Sequence, residues 1–325
     1  MKHRSSLGRR SLPPADSTWA NSGPNVVKEL LKSKLREFIS YALRVPRLRG
    51  LLFDAHPSNS LVLADCGKEM YLVNSSDRVI GKYCYINRRA FDADKLDQVL
   101  AMLPNGGSLK TLVDIGSNIG TIAIHALVEK QVEKCVAFEP EPNNFRLLQV
   151  NALLNGQQSR LVAHNVALSD GSSPSLLFEL SETNFGDHRV RVTGTDGIYG
   201  EARRTTLEVA SRRLDEFLAE IDAKSALLWI DTQGFEGQVL SGGAALLKEG
   251  VPMVVEFWPY GLDRAGGYEQ FVSAVIAGPY TTIVNLGNRG ELMPCNADSF
   301  AVLRRRLGSG TGFTDLLIHQ WDPSI

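Results

Sequence analysis

The chain has 325 residues, of which 43% are hydrophobic and 22% charged, a globular balance that predicts a sizeable core. Its net charge is −1, yet the first fifty residues carry eleven Lys/Arg against three Asp/Glu, so the remainder is acidic. This distribution argues against nucleic-acid binding by the main part of the chain, and leaves the basic arm free to contact a membrane, an acidic surface or a partner.

The cysteines and the N-terminal sequence indicate the cellular compartment in which the protein is expected. Four scattered cysteines, with no C-x-x-C pair, argue against a structural zinc site and suit a reducing environment. The N-terminus lacks the apolar stretch of a signal peptide, and no run of about 18 apolar residues occurs. We therefore expect a soluble, cytoplasmic protein.

The polar, proline-containing sequence of residues 1–24 predicts a disordered leader. In the following segment, "NVVKELLKSKLREFISYAL", apolar residues recur four apart and lysines occupy another side, which predicts a basic amphipathic helix. We expect this helix to dock on the main domain or to form a homodimer with a second copy. Contact with a membrane surface is the alternative, and no nucleic-acid partner is expected.

Short alternating runs in "LLFDAHPSNSLVLADCGKEMYLVNSS" predict hairpins, and "ADKLDQVLAMLP" predicts a helix, so residues 25–109 are interpreted as an N-terminal helical and hairpin cap. Over residues 110–325 apolar strands alternate with helical patterns, and "YTTIVNLG" and "SFAVLRRR" are predicted as the last two strands. This alternation indicates an α/β fold, a mostly parallel sheet with helices on both faces. Ligands of such sheets bind at the carboxyl ends of the strands.

The stretch "TLVDIGSNIGTIAIHALVEK" is a glycine-rich turn between a strand and a helix. Such a turn lets the backbone approach a ligand closely, and the start of the helix offers free N–H groups. The dinucleotide fingerprint G-x-G-x-x-G is absent, and an acid precedes the glycines, which would repel a pyrophosphate but suit a cofactor with a positive amino group. The candidate cofactor residues in this turn are Asp114, Gly116, Ser117, Asn118 and Gly120.

Glu139 ends the next strand, where a carboxylate can accept both ribose hydroxyls of an adenosine. Asn165, Val166 and Ala167 follow the third strand and are candidates for contact with an adenine ring. Each of these residues has a structural alternative, such as a helix cap or an ordinary strand end. Taken together, in register with the strands, they predict S-adenosylmethionine (SAM) rather than NAD.

Four motifs in order, "LVDIGSNIG", "FEPEPNNF", "NVALSD" and "WIDTQGFEGQVLSGG", resemble those of the FkbM family of SAM-dependent methyltransferases, over roughly residues 70–305. The resemblance implies a Rossmann-like class I methyltransferase fold whose seven-stranded sheet has an antiparallel last strand. It also implies methyl transfer to a hydroxyl of a sugar or secondary metabolite, a small-molecule or glycan acceptor. The glycine turn and Glu139 would then hold the cofactor, while Asp231 and Glu236 would face the acceptor.

One departure concerns the fourth motif, which in the family commonly reads D-x-E-G-x-E and here reads "DTQGFE". Gln233 cannot ionise, so the remaining candidate catalytic acids are Asp231, Glu236 and, after the fifth strand, Glu256. Asp231 could instead cap the next helix, and Glu236 could lie in the first turn of that helix.

Further candidates near the acceptor are His188, in the polar insertion "NFGDHRV", and the aromatic pair Trp258 and Tyr260. A divalent ion between Asp231 and Glu256 is conceivable, but the sequence defines no metal geometry, and no metal site is predicted.

The leading hypothesis is a SAM-dependent O-methyltransferase. A binding module that retains the fold without transferring a methyl group is the first alternative, and an NAD-dependent oxidoreductase is the second.

Overall fold

The computed structural model of the protein describes residues 24–42, 44–103 and 108–320. One compact unit ends at Arg49 and a second begins at Gly50. The first contains the predicted amphipathic helix, α1 (Pro24–Ala42), and α2 (Pro46–Asp54) spans the division. The predicted leader lies outside the described residues except for Pro24. Within the described ranges, no helix has the length and apolar character that a bilayer span requires.

The second unit opens with the predicted hairpin and two helices: β1 (Leu61–Asp65), β2 (Met70–Asn74), α3 (Ile80–Asn87) and α4 (Ala93–Met102). The inward side chains of the hairpin, such as Tyr71 and Val73, pack in one cluster with Ile124 and Leu147 from the helices that follow. The predicted cap boundary at residues 109 and 110 therefore does not separate two packed cores, because these apolar faces share one.

An eight-stranded sheet forms the centre of the second unit. Its strands in spatial order are β13 (Glu291–Pro294), β12 (Thr282–Asn285), β14 (Thr314–His319), β11 (Met253–Phe257), β10 (Ala226–Ile230), β3 (Thr111–Ile115), β4 (Lys134–Phe138) and β5 (Leu161–His164). The five strands from β11 to β5 are parallel, whereas β14 runs antiparallel to both of its neighbours. The mostly parallel sheet and its antiparallel last strand are thus confirmed.

Alternate residues of the central strands enter two different cores. Val113 and Ile115 belong to the cluster that also holds side chains of the C-terminal helices, whereas Leu112 belongs to the cluster on the other face. Burial of both faces explains why these strands read as continuous apolar runs rather than alternating ones. The helices packed on the sheet are α5 (Thr121–Val128), α6 (Pro142–Leu154), α7 (Glu236–Gly242), α8 (Ala244–Lys248), α9 (Pro259–Arg264), α10 (Tyr268–Ile276) and α11 (Ala297–Leu307).

Two details of the prediction differ from the structure. The sheet has eight strands rather than seven, because β13 pairs with the edge strand β12 as a hairpin. The segment "SFAVLRRR", predicted as a strand, lies in α11, where the Asn296 side chain accepts a hydrogen bond from the Ser299 N–H and caps the helix. Phe300 and Leu303, three residues apart, face the core, which is a helical spacing.

A second, four-stranded sheet lies between β5 and β10 in the chain and was not predicted. Its strands in spatial order are β6 (Ala167–Leu168), β9 (Thr205–Arg212), β7 (Ser175–Leu180) and β8 (Arg189–Val190). The segment 181–190 runs from the end of β7 through β8, and within the second unit the Arg78 N–H, just before α3, donates to the Thr183 carbonyl at 2.7 Å. This sheet supplies one wall of the site described below.

Candidate active site

The glycine turn between β3 and α5 has the backbone conformation that its sequence predicts. Gly116 and Gly120 have φ angles of +89° and +88°, which side chains rarely tolerate. A Cβ on Gly116 would lie 1.8 Å from the Asp231 carbonyl oxygen, and one on Gly120 would lie 2.5 Å from Cδ1 of Leu148. Gly116 is therefore required by the close contact with the end of β10, and Gly120 by the packing of α6. The sequence suggested a different reason for these glycines, the close approach of a ligand.

Asp114 lies at the end of β3 with 2% of its surface exposed. Its Oδ2 atom is buried and has no hydrogen-bond partner among the described residues. Burial raises the pKa of this carboxyl to about 7, and the nearby Asp231 carboxylate adds to the rise. A buried acceptor without a donor is costly, so this atom is suited to a ligand that donates a hydrogen bond or carries positive charge.

Glu139, directly after β4, is held by two backbone donors. Its Oε2 accepts from the Asn118 N–H and its Oε1 from the Glu141 N–H, each at 2.8 Å. Burial raises the pKa of Glu139 to about 8. Each oxygen of an ionised carboxylate can accept more than one hydrogen bond, so the side chain is oriented and still able to bind hydroxyls.

These residues line a first cavity at the carboxyl edge of the sheet. Its described lining contains four carboxylates and neither lysine nor arginine; the carboxylates belong to Asp92, Asp114, Glu139 and Asp231. An acidic wall of this kind opposes a pyrophosphate and suits a cationic ligand, because like charges repel in a poorly solvated space. Of the other predicted cofactor residues, the lining includes Gly116, Ser117, Asn118, Val166 and Ala167.

Two predicted cofactor residues do not belong to that lining. Gly120 packs against α6, as described above. Asn165 is exposed, and its side-chain amide donates to the carbonyls of Glu139 (2.8 Å) and Pro140 (3.0 Å). Asn165 therefore shapes the backbone at the exit of β4 instead of facing the cavity.

The segment 181–190 covers the first cavity. The Asn118 amide donates to the Phe185 carbonyl at 2.8 Å, which ties this segment to the glycine turn. His188 lines the cavity and accepts from the Ser181 N–H at Nδ1, and burial lowers its pKa to about 4, so the imidazole is neutral at pH 7. The predicted polar insertion thus overhangs the site. Its apolar contribution, from Phe178, Phe185 and Val190, had no signal in the sequence.

A second cavity, of about 560 Å³, adjoins the first. Its aromatic lining consists of Phe91, Tyr199, Trp258 and Phe313, and its charged lining of Asp92, Lys95, Asp187, Arg204, Asp231, Glu256 and Asp315. Trp258 therefore faces this space, as predicted. Tyr260 instead donates through its hydroxyl to Glu201 at 2.7 Å and is not part of the described lining.

Asp231, directly after β10, lines both cavities. The Gln233 amide donates to Asp231 Oδ1 at 2.7 Å and to Glu256 Oε2 at 3.1 Å, so the residue that replaces the family acid joins the two carboxylates. Burial raises the pKa of Asp231 to about 7 and holds that of Glu256 well above its usual range. The Asp231 carboxyl therefore exchanges its proton near neutral pH.

Glu236 differs from the other two predicted catalytic acids. Its side chain is fully buried beneath the loop, and its Oε1 accepts from the backbone N–H groups of Thr232 (2.9 Å) and Gly234 (3.1 Å). Glu236 is absent from the described lining of both cavities, whereas Asp231 and Glu256 line the second. Glu236 lies in the first turn of α7, which is the structural alternative that the sequence left open, and its side chain binds the loop after β10.

Comparison with known proteins places this geometry in a family. Residues 114–267 match the model described as "Methyltransferase FkbM domain". No curated protein matches the chain by sequence.

Solved structures show a general likeness. P. horikoshii TYW2 in complex with MeSAdo has 14% identity and a TM-score of 0.40, with 82% of this chain and 74% of that chain covered. Geranyl diphosphate methyltransferase in complex with SAM has 10% identity and a TM-score of 0.36, with 72% of this chain and 86% of that chain covered. Precorrin-6y C5,15-methyltransferase from Geobacter metallireducens GS-15 has 11% identity and a TM-score of 0.36, with 70% of this chain and 88% of that chain covered. Likeness at this level carries no information about the acceptor.

The matched segment contains the glycine turn, Glu139 and the loop after β10, which are the parts that build the two cavities. The match favours a SAM-dependent methyltransferase over both alternatives, the NAD-dependent oxidoreductase and the module that only binds. Residues 114–267 therefore form a methyltransferase domain of the FkbM family, and the chain carries a SAM-dependent methyltransferase.

Proposed function

We propose that the protein transfers a methyl group from SAM to a hydroxyl of a sugar or another hydroxylated small molecule. The observation that carries this proposal is the position of Asp231, whose side chain belongs to the lining of both cavities. A carboxylate that lines both can reach a donor group on one side and an acceptor hydroxyl on the other. We further propose that residues 110–325 constitute the catalytic part, with the hairpin and α3–α4 packed onto it.

The first cavity fits the cofactor by its hydrogen-bond acceptors and its negative charge. The unpartnered Oδ2 of Asp114 would accept from the amino group of SAM, and Glu139 would accept from the ribose hydroxyls. Val166 and Ala167 would contact the adenine ring. The cavity is narrow, about 80 Å³, which is smaller than the roughly 300–1,000 Å³ of typical small-molecule sites, so segment 181–190 must shift to admit the cofactor.

SAM supplies an electrophilic methyl group on a positively charged sulfur, which departs as a neutral thioether. The chain provides the base: as the acceptor oxygen bonds to the methyl carbon, Asp231 takes the hydroxyl proton. The Gln233 amide restrains one oxygen of Asp231 and leaves the other available. Segment 181–190 and the apolar side chains of Phe178, Phe185 and Val190 exclude water from the reacting groups, which strengthens the electrostatic interactions within the site.

The second cavity suits a hydroxylated acceptor. Its volume of about 560 Å³ falls within the range of small-molecule sites. Tyr199 and Trp258 offer aromatic faces for the apolar faces of a ring, and carboxylates accept hydrogen bonds from hydroxyls. Two of the acids are already paired, since Lys95 bonds to Asp315 at 2.6 Å and to Asp92 at 2.8 Å, which lowers the net charge that an acceptor meets.

The proposal is tested by incubating the full chain with methyl-labelled SAM and a panel of sugars, glycans and hydroxylated metabolites, and by identifying labelled products by mass spectrometry. Replacing Asp231 by Asn should keep the affinity for SAM within a few-fold and lower kcat by about 10² or more, because a near-isosteric amide cannot take a proton.

Asp114→Asn is the matched variant, since it removes a carboxylate from the first cavity only. It should weaken SAM binding in calorimetry, because the amino group of SAM loses its charged acceptor. Full activity of Asp231→Asn on the identified acceptor would contradict the assignment of the base, and unchanged SAM affinity of Asp114→Asn would contradict that of the cofactor site.

A further inference from the structure

Three carboxylates converge beside the second cavity: those of Glu236 and Glu256 are buried and that of Asp231 is half-buried. Asp231, Glu236 and Glu256 each offer an oxygen, and these oxygens all lie within 4.8 Å of one another. The residues come from different elements, the loop after β10, the start of α7, and β11. Like charges this close in a poorly solvated space repel strongly, so the arrangement needs either protons or a cation.

The known contacts of the cluster come from neutral groups. Gln233 donates to Asp231 and Glu256, and the Thr232 and Gly234 N–H groups donate to Glu236. Lys95, which shares the second cavity with two of these acids, bonds instead to Asp92 and Asp315. Among the described residues, the hydrogen bonds to the cluster thus come from neutral groups, and the positive charge of Lys95 acts on Asp231 and Glu256 only through space.

A second observation points to a ligand. Glu236 has 0% of its surface exposed, and its Oε2 atom is buried without a hydrogen-bond partner among the described residues. Its other oxygen takes up the donors of the loop, so this one remains for a group that the protein does not supply. An unpartnered carboxylate oxygen inside a cluster of carboxylates is the environment that a hard cation stabilises.

We propose that Asp231, Glu236 and Glu256 bind a divalent cation that prefers oxygen ligands, such as Mg²⁺, Mn²⁺ or Ca²⁺. Three atoms at most 4.8 Å apart lie within about 2.8 Å of a common centre, against about 2.0–2.1 Å for Mg²⁺–oxygen and 2.3–2.6 Å for Ca²⁺–oxygen bonds. A contraction of less than about 1 Å would complete three bonds. The donor set contains neither sulfur nor imidazole, which disfavours zinc and copper.

The position of this site ties it to the second cavity. Two of its three ligands, Asp231 and Glu256, line that cavity, so a bound cation would have coordination positions directed towards the acceptor. Gln233 lies between the same two acids, and rotation of its amide would turn an oxygen ligand towards the ion. This inference concerns cation binding and does not depend on the identity of the methyl acceptor.

The probe is Mn²⁺, titrated into the full chain at pH 8 without SAM or acceptor and followed by electron paramagnetic resonance. We expect one saturable site per chain, with a dissociation constant of about 10⁻³ M or tighter, and competition by Mg²⁺ or Ca²⁺. Glu256→Gln should weaken binding by at least about tenfold, because it removes a charged ligand and retains the volume.

Two further variants sharpen the test. Glu236→Gln keeps an oxygen for the Thr232 and Gly234 donors and should also weaken binding, while Gln233→Glu should tighten it by adding a fourth carboxylate. Glu139→Gln is the matched control, a buried acid at the same sheet edge but outside the cluster, and should leave Mn²⁺ affinity unchanged. Melting curves identify any variant that fails to fold. Absence of saturable binding by the unmodified chain, or wild-type affinity in both folded Glu236→Gln and Glu256→Gln, would overturn the proposal.

Discussion

At the scale of single residues, the site is built from acids that the fold makes weaker than usual. Asp114, Glu139 and Asp231 all have raised pKa values because they are buried at the carboxyl edge of the sheet. Asn118 and Gln233, which bond to neighbouring parts of this site, have φ angles of +50° and +55°. Left-handed backbone at non-glycine residues is uncommon, and here Asn118 lines the first cavity and Gln233 the second.

The pH dependence of catalysis follows from the pKa of Asp231, which burial raises to about 7. A protonated carboxyl cannot take the acceptor proton, so kcat/KM should rise with pH, reach half its maximum near pH 7 and level off above it. The midpoint for kcat should be lower, because the positive sulfur of bound SAM favours the ionised acid. Steady-state rates between pH 5.5 and 9 on the identified acceptor measure both midpoints. A flat kcat/KM profile across this range would exclude Asp231 as the titrating base.

At the scale of elements, the glycine turn and the loop after β10 hold each other in place. The Asp231 N–H donates to the Ile115 carbonyl at 2.9 Å, and Gly116 lies against the Asp231 carbonyl. The position of Asp231, the proposed base, therefore depends on the glycine turn, through contact between the ends of neighbouring parallel strands. A side chain at Gly116 would act on both cavities at once.

Gly116→Ala tests this contact. The new Cβ would lie 1.8 Å from the Asp231 carbonyl oxygen, so we expect a loss of stability of several kcal/mol, of the order that overpacking causes, together with loss of SAM binding. Gly156→Ala is the control, since Gly156 also has a positive φ angle, +68°, but no atom within 4 Å of the new Cβ. It should cost only the backbone strain, about 1 kcal/mol. Equal denaturation midpoints for the two variants would show that the contact with Asp231 is unimportant.

At the scale of the second unit, a polar cluster joins the hairpin and α4 to α5. His125 contacts Glu69 at 2.6 Å through Nδ1 and Asp97 at 3.2 Å through Nε2, and Tyr71 donates to Glu69 at 2.5 Å. Burial lowers the pKa of His125, but the bonds to the two carboxylates outweigh this effect and raise the pKa above its usual value. His125 is thus part of the cluster that holds the cap on the domain, and it does not line either cavity among the described residues.

A raised pKa in the folded state means that protonated His125 stabilises the fold at low pH. This contribution is fully present below the unfolded value of about 6.5 and is lost as pH rises through the folded value. His125→Gln should therefore destabilise the protein by about 1.5–3 kcal/mol at pH 5.5, and by clearly less at a pH above the folded pKa. Denaturant unfolding of both proteins across pH 5.5–10 measures the difference. A difference that stays constant over this range would show that the charge of His125 contributes nothing.

Much of the fold was predictable because local patterns correspond directly to it. Continuous apolar strands alternating with helices indicated a parallel sheet covered on both faces, and the acid and glycines after β3 indicated a turn with left-handed residues. The misassigned α11 shows the limit: "SFAVL" is apolar enough for a strand, and only its cap and the facing core select a helix. The sheet β6–β9–β7–β8 was missed because β6 and β8 have only two residues each and much of β9 is exposed and polar.

The sequence by itself determined the family, the type of cofactor and the acids at the strand ends, because these depend on residue types at short spacings. The tertiary structure determined which of these acids line the same cavity. Asp231 and Glu256 are 25 positions apart and line the same cavity because β10 and β11 are neighbouring parallel strands, while Glu236, only five positions after Asp231, is buried beneath the loop. The tertiary structure also determined that Asn165 and Gly120 do not line the first cavity. Asn165 instead bonds to the backbone after β4 and Gly120 packs against α6, because contacts between distant segments set these positions.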